Sequence, residues 1–157
     1  MALFIKFDGI EGECHDKDHK GWVDLLSYSW GLSQSGADAT GQTRRRGVVS
    51  VSDFSCSKEM EKSSPKIAEA ICKGKVFPKV EIHSCATYGD ARAAFLKYEL
   101  KNVMVSSYVS SGASDAVPTE SMSLNFEEVK NTYVEYDAKG TKKGNVEMTW
   151  KVEEGNA

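Results

Sequence analysis

The amino-acid sequence predicts an all-β protein, a barrel or sandwich, with one short helix. Three observations lead there. Apolar and polar residues take turns with period two over most of the chain. A single segment carries a helical period. Turn-forming clusters such as "YGDAR", "SSGASDAVPTE" and "DAKGTKKGN" recur between the alternating runs.

Taken in order, Leu3–Phe7 is a first short strand. Leu26, Tyr28, Trp30 and Leu32 then alternate without a break with Ser27, Ser29, Gly31 and Ser33. A long, glycine-punctuated loop follows, tipped by Arg44, Arg45 and Arg46. The run Val48–Cys56 is a strand whose alternation slips at Ser52–Asp53, since Val49 and Val51 share one face and Phe54 and Cys56 the other; a β-bulge there accounts for the slip. The helix comes next: Ser64 is placed to cap it, Pro65 suits its first turn, Ile67 and Ile71 lie on one face, and Gly74 stands just past its end. Further strands are Val80–Cys85, Leu96–Lys101, Met122–Phe126, Tyr133–Tyr136 and Val146–Glu153. No linker, repeat or low-complexity run divides the chain, so residues 1–157 read as one domain, large enough to bury roughly two-thirds of its unfolded surface.

The bulk numbers exclude several classes. A net charge of −3 argues against non-specific nucleic-acid binding, which needs a broad basic surface. The N-terminal "MALFIKFDGIEGE" is too short and too charged for a signal peptide, and no stretch approaches a membrane span, so a cytosolic protein is expected. Cys14, Cys56, Cys72 and Cys85 fit that compartment as free thiols, with no C-x-x-C or zinc-ribbon spacing among them.

Candidate chemistry is sparse. In "CHDKDHKG", His15 and His19 have a metal-like spacing with Asp16 and Asp18 between them. An EF-hand reading fails because Lys20 stands where an oxygen ligand is needed, and an i, i+4 histidine pair works only on a helix, so the stretch reads as a solvated turn. "GLSQSG" misses the spacing of the nucleophile elbow and lies at a strand rather than opening a helix. His83 shares a strand face with Glu81, and nothing marks a partner for it. No catalytic residue, metal ligand or cofactor site is therefore assigned.

Two features admit more than one reading. Arg44–Arg46 can be a solvated loop tip, a phosphate contact, or a group pairing with carboxylates of another copy, for which "KEMEKSS" and "FEEVK" offer partners. Ser27, Ser29, Gly31 and Ser33 make a face too polar for a core and too uncharged for an ordinary exterior. It is either a plain solvent face or the wall of a channel that other molecules slide past.

The succession "FIKFDGIEGE", "DKDHKGW", "SYSWGLSQSG", "DFSCSKEMEKSSPKI", "VSSYVSSG", "ESMSLNFEEVKNTYVEY" and "TWKV" resembles the Hcp (haemolysin-coregulated protein) family, whose members form the inner tube of type VI secretion systems. The likeness runs from near Phe4 to near Val152. It implies a mainly β fold: a compact β-barrel of two packed sheets with one short lateral α-helix and an extended protruding loop. It also implies homohexameric rings that stack into a tube inside a contractile sheath, capped by a spike protein and carrying small effector proteins in the channel. Such a protein is cytoplasmic before firing and is then secreted through the apparatus without a signal peptide; it inserts in no membrane and binds no nucleic acid. An enzymatic version would need an extra C-terminal domain, and this sequence stops at Ala157, so no activity is expected. The loop near Ala37–Gly47 corresponds to the family's subunit or ring contact, which places Ala37, Asp38, Thr40, Gln42, Arg44, Arg45 and Arg46 there, while Ser27 and Ser29 match the channel-lining segment. A stand-alone ligand-binding barrel is the alternative from a different class.

Overall fold

The computed structural model describes residues 1–34 and 49–152. Within them the chain forms β1 (Ala2–Phe7), β2 (Val23–Leu25), β3 (Ser27–Ser29), β4 (Leu32–Gln34), β5 (Val49–Val51), β6 (Phe54–Glu59), α1 (Ser64–Cys72), β7 (Phe77–Tyr88), β8 (Ala91–Ala113), β9 (Ala116–Asn125), β10 (Glu128–Tyr136) and β11 (Lys142–Lys151). The strand pairings are antiparallel throughout.

Hydrogen-bonded neighbours run β2-β1-β7-β8-β9-β6-β3. The two ends of this series, β2 and β3, are successive pieces of one chain segment joined through Leu26, whose amide donates to the Ser57 carbonyl at 2.8 Å. The ring of strands thus returns to its start. Strand β8 serves both halves of it. Its first part pairs with β7 and β10, and its second with β9. The change of direction falls at Asn102, a non-glycine residue at φ 52, whose side-chain Nδ2 donates to Glu127 Oε2 at 2.7 Å. β10 and β11 carry the sheet outward as a flank.

Period two fills the interior. Ile5, Phe7, Val80, Ile82, Leu100 and Val129 face Phe54, Cys56, Val105, Met122 and Leu124, and α1 adds Ile67 and Ala70. Fully burying each large side chain contributes roughly 1.5–3 kcal/mol before entropy is counted. Phe4, on the opposite face of β1, joins Cys14, Trp22 and Cys85 in a second, smaller cluster beneath the β1–β2 connection.

Three expectations are corrected in detail. The unbroken strand over Leu26–Ser33 is two short strands, β3 and β4, and Leu26 lies outside both; it is 54% exposed, as Leu32 is at 52%, so the two leucines do not share the inward face of Tyr28. The slip at Ser52–Asp53 is a break between β5 and β6 rather than a bulge. There Ser52 Oγ accepts from the Gly31 amide at 2.9 Å and donates to the Gly31 carbonyl at 2.8 Å, pinning a corner that sets β4 and β5 apart as a separate two-stranded ribbon. At the helix, the cap position is Ser63, not Ser64. Ser64 Oγ is occupied instead by the Glu61 amide (3.0 Å) and Lys58 Nζ (2.9 Å). Gly74, at φ 64, does end the helix, with the Lys75 amide reaching back to the Ala70 carbonyl at 2.9 Å.

Candidate functional site: a serine-tiled sheet face

The expected serine face of β3 is one column of a larger surface. Strand pairing sets Ser27 beside Ser57, Ser57 beside Ser121, and Ser121 beside Val109. The next row reads Ser29, Ser55, Ser123 and Ser107. Seven serines from four strands therefore tile one outward face, because on each strand serine alternates with an inward residue: Tyr28, Cys56, Met122 or Tyr108. They line a shallow groove of about 300 Å³ that contains no charged side chain. Ser27 Oγ and Ser57 Oγ share a 2.6 Å hydrogen bond, and Ser111 and Thr119 extend the hydroxyl row beyond. At the border Asp53 gathers donors, Ser106 Oγ at 2.7 Å and Asn125 Nδ2 at 3.0 Å.

Such a surface holds on to little. Hydroxyls are satisfied by water or one another, small side chains give scant apolar area, and without charge there is no long-range pull. It is a surface suited to passage rather than capture.

Beneath it a buried polar cluster ties β6 and β9 to the start of α1. Lys58 and Glu120, at 0% and 1% exposure, form an ion pair of 2.5 Å on the inward face, where Lys58 Nζ also reaches Ser64 Oγ and the Tyr108 hydroxyl donates to Glu120. Burial pushes the Glu120 carboxyl up, but hydrogen bonds from Lys58, Tyr108 and Ser64 and the Lys58 charge outweigh it and hold the group below its usual value. Burial drives the Cys56 thiol up to about 12, so it stays protonated.

The histidines are placed differently from the solvated turn expected of them. His15 and Asp18 are exposed, but His19 is 5% exposed and Asp16 is half-buried. His19 Nδ1 meets Asp16 Oδ2 at 2.7 Å, and His19 Nε2 meets His83 Nδ1 at 2.9 Å. His83 therefore has a partner that sequence spacing could not reveal, 64 residues away. Cys85 Sγ lies 4.0 Å from His19 Nε2, so thiol, imidazole and carboxylate line up in triad order. The arrangement is not poised for nucleophilic attack. Cys85 is 1% exposed, burial drives its thiol up to about 11, and His19 Nε2 is already engaged by His83. Among the described residues no group of three His, Cys, Asp or Glu converges on a metal position, and no helix is long and apolar enough to cross a membrane.

Of the residues singled out from sequence, Ser27 and Ser29 lie within the tiled face, which Ser55, Ser57, Ser107, Ser121 and Ser123 complete. The expected contact loop, Ala37, Asp38, Thr40, Gln42, Arg44, Arg45 and Arg46, lies outside the described residues.

Comparison with known proteins is consistent along the chain. A family model described as "Type VI secretion system effector, Hcp" matches residues 4–133. Protein hcp1 of Pseudomonas aeruginosa is 36% identical over 155 residues, covering 97% of this chain and 95% of that one. A solved structure described as that of a type six secretion system protein superposes with a TM-score of 0.92 at 31% identity, over 99% of this chain and 98% of its own. The crystal structure of Hcp1 from Salmonella typhimurium shares the fold, with a TM-score of 0.78 at 24% identity over 99% and 96% of the two chains.

Proposed function

Because the chain belongs to the Hcp family of type VI secretion proteins, we propose that it is the structural, tube-forming component of such a system. Six copies close into a ring, rings stack into an inner tube within a contractile sheath and beneath a spike protein, and the tube carries small effector proteins in its channel. The protein acts in the cytoplasm until firing and then leaves through the apparatus. The observation that carries this reading is the tiled face: seven serines, no charge and a shallow groove, in register across β3, β6, β9 and β8. In the ring that face lines the channel, where a wet, weakly adhesive wall lets cargo move.

Ring closure has to overcome several kcal/mol of lost rigid-body freedom per contact, which exposed charge pairs do not supply. The flank offers what is needed. Leu96, Tyr133 and Val146 stand side by side across β8, β10 and β11, with Tyr133 51% and Val146 73% exposed, and β10 is the one strand that pairs with β11 among the described residues. Apolar packing and strand-edge pairing there hold the ring, while Arg44–Arg46 tune register and stacking.

A stand-alone ligand-binding barrel requires an apolar cavity inside the ring of strands. Phe7, Phe54, Phe77, Leu100 and Leu124, each at 0% exposure, occupy that space and argue against it. The deciding experiment is the native mass by light scattering on a sizing column, followed by negative-stain images of the peak. Six-membered rings are expected; a monomer across a wide concentration range would overturn self-assembly as the basis of function.

A further inference from the structure

The β1–β2 connection is fastened to the β7–β8 hairpin by a chain of polar contacts that the tube function does not use. Arg92 Nη1 lies 3.1 Å from Asp16 Oδ1, Asp16 Oδ2 2.7 Å from His19 Nδ1, and His19 Nε2 2.9 Å from His83 Nδ1. His19 is clamped between rings, stacked on Phe4 at 4.5 Å and edge-on to Trp22 at 4.7 Å. Within itself the connection is a small backbone unit: the Gly12 and Cys14 amides donate to the Gly21 and Trp22 carbonyls, and the Gly21 and Trp22 amides to Cys14 and His19. At its other end the Glu13 amide donates to Glu61 Oε2 at 3.0 Å, so the part carrying Asp16 and His19 can lift about that anchor when the contacts to β7 and β8 fail. The connection's own Cys14 and, on β7 beneath it, Cys85 are buried by this fastening, at 4% and 1% exposure.

We propose that Arg92, Asp16, His19 and His83 form an acid-opened latch whose release uncovers Cys14 and Cys85 while the barrel stays folded. The geometry requires it. One proton sits between the two imidazole nitrogens. His19 Nδ1–H donates to the Asp16 carboxylate, and one further proton can be taken at the outer nitrogen of the pair without disturbing the contact. The next must go on the shared side, and two N–H groups then face each other at 2.9 Å with two positive charges. The surrounding charges are divided. Glu81 on β7, its carboxylate 3.9 Å from His83 Nε2, favours the charged ring, and Lys97 on β8 joins the facing His19 against it; around the neighbouring thiols stand Asp16 and Asp18 of the connection, Asp24 of β2 and Arg92 of β8. Burial, then the facing His19, pushes the His83 imidazole down to about 4, so the latch holds through neutral and mildly acid conditions. Asp16 is held below its usual carboxylate value, first by the His19 hydrogen bond, so its contribution stands above that value and fades as pH falls below it. Both groups have depressed folded values, so their contribution is present at neutral pH and is lost as pH falls through them.

The test uses the full chain with exposed Cys72 replaced by serine. Dithiodipyridine, which reacts with thiols in acid, is applied from pH 7 to pH 3, and labelled cysteines are mapped by mass spectrometry. Cys56 in the main core reports global unfolding. The expected result is labelling of Cys14 and Cys85 near pH 4 with Cys56 still protected. His83→Asn keeps an amide that can donate to or accept from His19 but cannot charge, and should lower the labelling midpoint by about one pH unit or more. Arg92→Gln, at an exposed position, should raise it. Labelling of Cys56 in step with the other two, or an unmoved midpoint in both variants, would overturn the latch. If His83→Asn does not fold, Arg92→Gln alone decides by the direction of its shift.

Discussion

Replacing Lys58 by methionine removes one partner of a pair that has no access to water. Lys58 and Glu120 are 0% and 1% exposed, and the ammonium is 2.5 Å from Glu120 Oε2. Methionine fills much of the volume of the lysine stem, so the main loss is electrostatic: a carboxylate is left with the Tyr108 hydroxyl but no counter-charge. Stranding a buried charge in this way costs about 3–5 kcal/mol. For a chain of this length that is roughly 6–20 °C in Tm. The assay is urea unfolding followed by circular dichroism at one fixed protein concentration, since assembly adds to apparent stability. The pH dependence carries the sharper test. In the parent protein Glu120 titrates below its ordinary value, so its contribution is present above that value and fades as pH falls through the folded one. Without Lys58, burial raises the folded value instead, and protonation relieves the penalty as pH falls. The gap between the two proteins should therefore narrow from pH 7 to pH 5. The double change Lys58→Met with Glu120→Gln should recover at least half the loss. A double variant as unstable as the single, with a gap independent of pH, would show that lost packing rather than a stranded charge explains the effect.

Three other outcomes follow from the geometry. Ser29→Trp places a large ring in a groove of about 300 Å³ and should leave ring mass by light scattering unchanged while reducing effector protection against protease; unaltered protection would mean that Ser29 does not face cargo. Val146→Asp should shift rings toward monomers without changing the far-ultraviolet spectrum, whereas replacing Arg44, Arg45 and Arg46 together by alanine should leave rings whole. The reverse pattern would move the main contact from the flank to the arginines. Gly12→Ala drives a Cβ into the Trp22 carbonyl oxygen, which is backbone and cannot swing away. It should cost about 1–3 kcal/mol in urea unfolding, and a neutral result would show that the connection does not depend on the close approach of Gly12 to Trp22.

How much of this was legible depends on distance along the chain. Ser27 and Ser29 announce their face by alternating with Tyr28 and Trp30, and the same serine-apolar rhythm recurs in "DFSCSKE" and "ESMSLN". What the sequence does not carry is the register that aligns the three, because pairing Ser27 with Ser57 and Ser57 with Ser121 joins residues 30 and 64 positions apart. The buried pair was within reach of the same reasoning. Lys58 continues the inward parity of Phe54 and Cys56, and Glu120 that of Met122 and Leu124, so two opposite charges on core-facing positions point to each other. The His19–His83 contact had no such signal. His19 belongs to a connection with no period, and its burial comes from the way that connection folds back over Phe4.

The two faces of β3, β6 and β9 cannot be altered independently. Each residue facing the core is followed by one facing the groove, so a slip of one position would bring Ser55, Ser57, Ser121 and Ser123 into the core and expose Phe54, Cys56, Met122 and Leu124. The cost of burying four hydroxyls and uncovering three large apolar side chains and a thiol makes that slip prohibitive, at several kcal/mol for the apolar groups alone. The register of the tiled face is thus enforced from behind. β8 bears this out from the other side: its pairing with β9 shifts between Val105 and Ser107, leaving Ser106 free to bond Asp53 and placing Ser107 beside Ser123. Without the shift Ser106 would stand beside Ser123, but Ser107 would turn into the core and Tyr108 out beside Ser121; the irregularity keeps Tyr108 inward and the groove free of its ring. A smooth uncharged wall is, on this account, a by-product of a core whose aromatic and aliphatic residues allow one register only.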